Sequence, residues 1–161
     1  PMPTEIQSLV TRTALGTPRR TSSGVDASRV AMMLAVLLAR LGLDTSAHDV
    51  YVATVGGARA VEPATDLAVA LALVSAHQQL PVRSGTIVVG EVGLAGEVRP
   101  TAGVARRLAE AARLGFTRAV VPCAARGQAP LQPAALEVVE VADVAQALAA
   151  ALAREAPAPD A

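Results

Sequence analysis

The segment from Asp66 to Gln79 constrains the fold most, because its sequence predicts a helix that is apolar on nearly every side. Its large apolar residues are Leu67, Val69, Leu71, Leu73 and Val74. A helix without a polar face is buried in the protein, so the rest of the chain must cover it. The sequence therefore predicts a domain that is built around this helix.

The composition limits the kind of structure that can pack around this helix. The chain has 161 residues, which suits one domain, and hydrophobic residues make up 52% of it. Aromatic residues are only 1%, namely Tyr51 and Phe116, so the core consists of Leu, Val, Ile and Ala. This composition favours helices packed on a sheet. We predict one domain over residues 1–154 and a disordered tail over residues 155–161.

Turn residues and apolar periodicity predict alternating strands and helices. A strand at residues 4–10, a turn at 16–18 and a return strand at 19–22 predict an N-terminal β-hairpin, and a second hairpin has its tip at residues 94–97. The other predicted strands are residues 49–55, 86–89, 118–121 and 137–141, and the predicted helices are residues 26–40, 66–79, 103–114 and 143–154. Asp26 and Asp143 are the predicted N-caps, with Gly42 and Gly115 as stops. The expected fold class is α/β (α+β), with helices covering a mixed sheet.

The charges exclude several kinds of site. The formal net charge is zero, so there is no overall electrostatic signature of a nucleic-acid or membrane binder. All 14 cationic residues are arginine, and a Walker A phosphate loop needs a lysine, so that ATP site is excluded. The spacing of Gly90, Gly93 and Gly96 comes near a dinucleotide fingerprint, but these glycines lie in a predicted hairpin and do not open a helix.

Metal and nucleophile sites are weakly supported by the sequence. Cys123, His48 and His77 are too far apart in sequence to indicate a zinc site, so no metal is predicted. Cys123 is expected to be a buried inert thiol, although Arg126 is near enough in sequence to activate a thiolate. Ser75 and His77 lie two residues apart on a helix and face different ways, which argues against a Ser–His pair.

The expected location is a reducing cytoplasm, since a single cysteine forms no internal disulfide. The N-terminus shows no signal peptide, and the apolar runs are too short to span a membrane. The beginning of the chain, PMP, indicates a piece of a longer protein.

Two segments resemble the catalytic motifs of Lon-type proteases. Residues 61–67 (VEPATDL) precede the buried helix, where an active Lon protease has Gly-Pro-Ser-Ala-Gly, and Ala64 falls at the serine nucleophile. Residues 89–100 (VGEVGLAGEVRP) match the second motif, and after it Ala105 falls at the general-base lysine. An alanine supplies neither a nucleophile nor a base. The resemblance therefore implies a Lon-like scaffold without a catalytic residue, in which Ala64 and Ala105 are vestigial dyad positions.

Among Lon-like domains, the chain is most similar to the C-terminal domain of the RadA (Sms) family of bacterial recombination ATPases. The similarity covers about residues 3–152 and includes EIQSLV at 5–10, GTPRR at 16–20, DVYV at 49–52 and the motif at 90–100. It implies the Lon proteolytic-domain fold, which is ribosomal protein S5 domain 2-like. Full-length members carry a zinc finger and a RecA-like ATPase, so zinc, magnesium and ATP are expected in domains absent from this chain, and no cofactor is expected here.

The resemblance implies a function in DNA repair and homologous recombination, including branch processing. The expected partners are single-stranded or branched DNA, other copies of the chain in a homo-hexameric ring and, through the full-length protein, the recombinase RecA. The candidate DNA contacts are Arg19, Arg20, Arg59, Arg99, Arg106 and Arg107. Guanidinium groups suit phosphates because they offer paired donors, although ordinary surface ion pairs are the competing interpretation.

Two alternatives stay open. The first is a peptidase in which Thr65, beside the vestigial serine position, is the nucleophile, with Glu62 as a base of raised pKa. The second is a peptide-binding relic, in which the former cleft holds a segment of a partner; the sequence neither supports nor excludes it.

Overall fold

The structure is a computed structural model, and it describes residues 1–14, 16–124 and 133–154. The predicted tail at residues 155–161 and Arg126 lie outside these residues. The strands are β1 (Ile6–Arg12), β2 (Arg20–Ser23), β3 (His48–Thr54), β4 (Thr86–Val88), β5 (Glu91–Val92), β6 (Val98–Arg99), β7 (Arg118–Pro122) and β8 (Glu137–Val141). The helices are α1 (Ala27–Leu41), α2 (Asp66–Gln78), α3 (Val104–Arg113) and α4 (Val144–Ala151). Single 3₁₀ turns occupy Val55–Gly57 and Pro63–Thr65.

The first sheet has the order β1-β3-β2 and is mixed, because β3 runs antiparallel to β1 and parallel to β2. The predicted N-terminal β-hairpin is therefore wrong, since β1 and β2 are not neighbours. The central position belongs to β3, whose Val50 and Val52 are 0% and 2% exposed. The apolar residues of β3 are better buried in the centre of the sheet than the polar residues of β2 would be. This gain in burial outweighs the turn signal at residues 16–18.

The second sheet has the order β4-β7-β8 and is parallel. The strands β4 and β7 are joined through α3, as a parallel pair requires a crossover. The predicted second hairpin is confirmed, because β5 and β6 pair antiparallel with Glu91 opposite Arg99. The structure thus confirms an α/β domain, but its strands form three sheets within the described residues.

The helix boundaries follow the local signals. The carboxylate of Asp26 accepts hydrogen bonds from the N–H groups of Ser28 (2.8 Å) and Arg29 (3.2 Å), which confirms it as the N-cap of α1. Gly42 ends α1 with a left-handed φ of 68°. Helix α4 ends at Ala151, earlier than predicted, because Leu152 turns extended and bridges to Val82.

Helix α2 lies inside the domain as predicted. It packs against β1, α1, α4 and β5, and Leu67 and Leu73 are fully buried. Exposure in α2 is confined to Ala68, Ala72, Ser75 and Ala76 and to the residues that follow towards its C-terminus. The predicted buried strand at residues 86–89 is half-buried instead over Thr86–Val88, because β4 is the edge of its sheet. None of the helices in the described part of the chain has the length and apolar character to cross a membrane.

Candidate functional site

The 3₁₀ turn Pro63–Thr65 holds Ala64, the first of the two positions predicted from the Lon resemblance, at the entrance to α2. Its Ala64 is 7% exposed and belongs to an apolar cluster with Val89, Leu108 and Ala111. The backbone of the turn is bonded to Gly90, whose N–H donates to the Ala64 carbonyl at 2.9 Å. The Ala64 methyl group is therefore held in an apolar environment next to the β5-β6 hairpin.

Ala105, the second position predicted from the Lon resemblance, lies on the neighbouring helix α3. Leu108 and Ala111 of α3 pack in the same cluster as Ala64. The guanidinium of Arg107 also binds the carboxylate of Glu62, directly before the turn. Ala105, however, is exposed on the first turn of α3. The structure thus brings the two motif segments together, with one alanine buried and the other at the surface.

The geometry around Thr65 bears on the peptidase alternative. Its hydroxyl group donates to the Glu62 carbonyl at 2.7 Å, and its N–H donates to the same oxygen at 3.0 Å. The Glu62 carboxylate, the base considered from the sequence, is engaged by Arg107. The hydroxyl proton of Thr65 therefore points to a backbone carbonyl, which is a poor base for nucleophile activation.

Sequence reasoning missed the most buried charge, Asp66, whose side chain is 1% exposed. Its carboxylate accepts a hydrogen bond from Nε of Arg29 at 2.7 Å, a second from the same guanidinium, and a third from the N–H of Val92 at 3.2 Å. These bonds tie α1, α2 and β5 together. The hydrogen bond to Asp66 raises the pKa of Arg29 above its ordinary value, so the guanidinium keeps its positive charge. The sequence signal that could have identified Asp66 was a single acidic residue at the start of a helix that is apolar on nearly every side.

Arg19 and Arg20 lie at the end of the first sheet where β3 begins. The N–H of Arg19 donates to the Asp49 carboxylate at 2.7 Å, while its guanidinium forms no hydrogen bond or ion pair with the described residues. The guanidinium of Arg20 donates to the carbonyls of His48 and Thr45, the latter at 2.9 Å. Arg20 therefore supports the turn before β3.

Two more candidates are engaged by carboxylates. Arg99 binds Glu97 at 2.6 Å and lies 3.9 Å from Glu91, and Arg107 binds Glu62. For these two arginines the competing interpretation, an ion pair within the domain, has direct support.

Arg59 and Arg106 are exposed, and neither guanidinium forms a hydrogen bond or an ion pair with any of the described residues. Arg59 follows the 3₁₀ turn after β3 and comes three residues before Glu62, the partner of Arg107. It therefore lies at the end of the sheet nearer to α3. A seven-residue strand spans about 20 Å, so Arg19 and Arg59 lie at opposite ends of β3.

The remaining predicted groups form no reactive pair. The Ser75 hydroxyl donates to the Leu80 carbonyl at 2.6 Å, and the ring of His77 lies 5.2 Å from that of His48. The expectation of a buried thiol is wrong, because Cys123 is exposed: it follows Pro122, the last residue of β7. Across residues 1–14, 16–124 and 133–154, no three His, Cys, Asp or Glu side chains come together as metal ligands.

Comparison with known proteins identifies a matching family model and a set of relatives that share one name. The family model ChlI, described as subunit ChlI of Mg-chelatase, matches residues 28–125. Proteins named DNA repair protein RadA are similar over most of the chain: 42% identical over 152 residues in Synechocystis, 47% over 148 in Mycolicibacterium smegmatis and 41% over 152 in Bacillus subtilis. These alignments cover 94%, 92% and 94% of the chain but 30%, 31% and 33% of the relatives. The chain thus spans about a third of the length of the curated relatives that it matches.

Proposed function

The chain belongs to the ChlI family and is homologous to DNA repair proteins named RadA, and on this premise we propose that it is a catalytically inactive Lon-protease-like domain that serves DNA repair as a scaffold and a DNA-contacting platform. The longer protein would supply ATP hydrolysis and a zinc finger, act on recombination branches in the cytoplasm and cooperate with the recombinase RecA.

One observation carries the inactive part of the proposal. The residue at the nucleophile position, Ala64, is a methyl group that is packed against Val89, Leu108 and Ala111. Covalent catalysis needs an activated oxygen, sulfur or nitrogen at this point, and a methyl group is none of these. Retention of the backbone framework, in which Gly90 holds the turn, supports an architectural use of the scaffold.

The candidate DNA contacts differ in whether their guanidinium groups are already bonded within the chain. Arg59 and Arg106 are the preferred contacts, because both are exposed and the described part of the chain offers their guanidinium groups no acceptor. Arg19 is a separate candidate at the other end of β3. Arg20, Arg99 and Arg107 would have to break existing bonds before binding a phosphate.

Titration of the chain with fluorescent single-stranded and branched DNA at several salt concentrations tests this assignment. Each lost phosphate contact lowers the slope of log affinity against log salt by about 0.7 to 0.9. We expect that reduction for Arg59→Gln and for Arg106→Gln. Arg113→Gln is the matched control, because it removes the same charge from a guanidinium that is bound to Glu110 at 2.7 Å.

The absence of any salt-sensitive affinity would overturn the DNA-contacting role. Equal losses in all three variants would instead attribute binding to net charge, and would remove Arg59 and Arg106 as specific contacts.

We also propose that the domain contributes to a homo-hexameric ring. The support is a set of exposed large apolar side chains, among them Leu9, Leu38 and Leu94, which are 59%, 52% and 67% exposed. Light scattering on the chain tests it. A monomer at every concentration would leave the rest of the longer protein as the source of the ring.

A further inference from the structure

A groove separates the two three-stranded sheets on the side where α2 is least covered. Its volume is about 740 Å³, within the size range of ligand sites. One wall is β1 and the other is β4, and each is the edge strand of its sheet. The floor is formed by the small side chains of Ala68, Ala72 and Ala76, one helical turn apart.

The β1 wall presents free backbone groups to the groove. The Glu5 carbonyl accepts a hydrogen bond from the N–H of Val55 at 3.0 Å, so residue 5 faces β3. In an antiparallel ladder successive residues face opposite edges. Ile6 and Ser8 therefore direct their N–H and C=O groups away from β3, to the open edge of β1 that lines the groove.

The β4 wall has the same property. The carbonyl of Gly85 and the N–H of Val89 are both bonded to β7, at 3.1 and 3.0 Å. By the same alternation, Thr86 and Val88 direct their backbone groups to the groove. No other described strand pairs with either edge, so the groove lies between two sets of unpaired donors and acceptors.

Side-chain atoms on the two walls are also unsatisfied. The hydroxyl oxygens of Ser8 and Thr86 are buried and have no hydrogen-bond partner among the described residues. They belong to two of the residues whose backbone groups face the groove. These two hydroxyl oxygens are enclosed by the protein, so the groups that a ligand in the groove can satisfy are the free backbone donors and acceptors of the same residues.

The charge of the lining restricts the chemistry of that ligand. Glu5 is the one ionisable residue among the described residues that line the groove. A nucleic acid requires cations along its backbone, which these walls do not provide. The apolar lining and the alanine floor suit an uncharged chain with side chains of alanine to valine size.

We propose that this groove binds an extended, uncharged segment of a partner protein, which adds as a strand between β1 and β4. Strand addition satisfies the free backbone groups of both edges, and pockets for alternate side chains give specificity. The inserted strand would join β2-β3-β1 and β4-β7-β8 into one sheet. This binding site is separate from the proposed DNA contacts, and either assignment can fail without the other.

The test is a fluorescence-anisotropy titration of the chain with a pool of labelled peptides of about six residues, long enough to span about 20 Å of groove, made from alanine, serine, threonine and valine. A second pool carries methyl groups on alternate backbone nitrogens. We expect saturable binding of the first pool and affinity at least about tenfold lower for the second, because methylation removes backbone donors without changing side chains. In the complex, the amide hydrogens of Thr86 and Val88 should exchange more slowly.

Matched variants localise the binding. Ala72→Leu fills the floor of the groove and should weaken binding at least about tenfold, whereas Ala35→Leu makes the same change on the exposed face of α1 and should alter affinity less than about twofold. Circular dichroism checks that both variants fold. If Ala72→Leu does not fold, the methylated pool on the unaltered chain decides.

Three results would overturn the proposal: no binding by the unmethylated pool, equal binding by both pools, or unchanged amide exchange at Thr86 and Val88 on binding. Dimerisation of the chain that Ala72→Leu abolishes would assign the groove to a second copy instead. Competition by single-stranded DNA for the same groove would assign it to nucleic acid.

Discussion

The turn that leads into α2 packs against α3 in one apolar cluster, yet the two helices use their polar residues differently. Helix α2 is covered on most sides, and its acid Asp66 is bonded inside the protein to Arg29. Helix α3 buries Leu108 and Ala111 and directs its arginines outward. A charge on the covered helix therefore holds elements together, whereas on the half-exposed helix the guanidinium of Arg106 is available to partners. Each of the following predictions tests that contrast.

The largest expected effect is the loss of the buried charge. Asp66→Asn leaves the Arg29 guanidinium without its counter-charge and weakens the bond to Val92, so we expect a loss of about 4 kcal/mol in the free energy of unfolding. Glu62→Gln is the matched change in the pair with Arg107, where the carboxylate is 59% exposed, and should cost at most about 1 kcal/mol. Urea denaturation measures both. Equal losses would contradict the division between structural and available charges.

The inward face of α3 gives the next effect. Leu108 is 2% exposed, and Leu108→Ala should cost about 3 kcal/mol in urea denaturation because it leaves a cavity beside Ala64. Ala109→Ser, on the exposed side of the same helix, should change the stability by less than about 0.5 kcal/mol. A small loss for Leu108→Ala would mean that α3 docks loosely on the start of α2.

Introducing the serine and the lysine of the Lon motifs tests the proposal that residues 64 and 105 are a vestigial dyad. Ala64→Ser with Ala105→Lys should cost about 1–2 kcal/mol, because the new hydroxyl enters an apolar cluster. We expect no hydrolysis of fluorogenic peptides, since position 64 is buried and position 105 is exposed. Turnover by the double variant would show that the two positions still meet. Turnover by the unaltered chain, abolished by Thr65→Ala, would establish the peptidase alternative.

The smallest effect is expected on the outer face of α3. The hydrogen bond from Arg113 holds the pKa of Glu110 below its ordinary value, so its contribution to stability is present above the unfolded pKa and is lost as the pH falls through the folded pKa. Arg113→Gln should return the pKa of Glu110 towards that ordinary value in an NMR titration, with little change in melting temperature at neutral pH. An unchanged Glu110 titration would show that the ion pair does not persist in solution.

Local sequence signals predicted individual elements well. Asp26 and Gly42 marked the two ends of α1, and the glycine-containing tip at residues 94–97 marked the β5-β6 hairpin. Such signals work because a cap or a tight turn depends on residues within a few positions of one another. They failed for β1 and β2, whose pairing depends on where β3 is inserted, some 25 residues later in the chain.

The candidate site was predicted only in part. The sequence identified Ala64, Ala105 and six arginines by residue type, but not which guanidinium groups already have acceptors. Arg20 binds carbonyls about 25 residues away in sequence, and Arg107 binds Glu62 across 45 positions. Such contacts leave no periodic pattern in the sequence. The same holds for the bond between Arg29 and Asp66, which are 37 positions apart.

The sequence by itself determined which segments are helices and strands and that α2 is buried, and its resemblance to the Lon motifs predicted methyl groups at the positions of a nucleophile and a base. Only the tertiary structure decided the strand order, the partners of the arginines, the opposite exposure of Ala64 and Ala105, and the groove between β1 and β4. The physical reason is range: propensity, capping and periodicity act over one or two turns of chain, whereas edges, grooves and ion pairs arise where distant segments pack against one another.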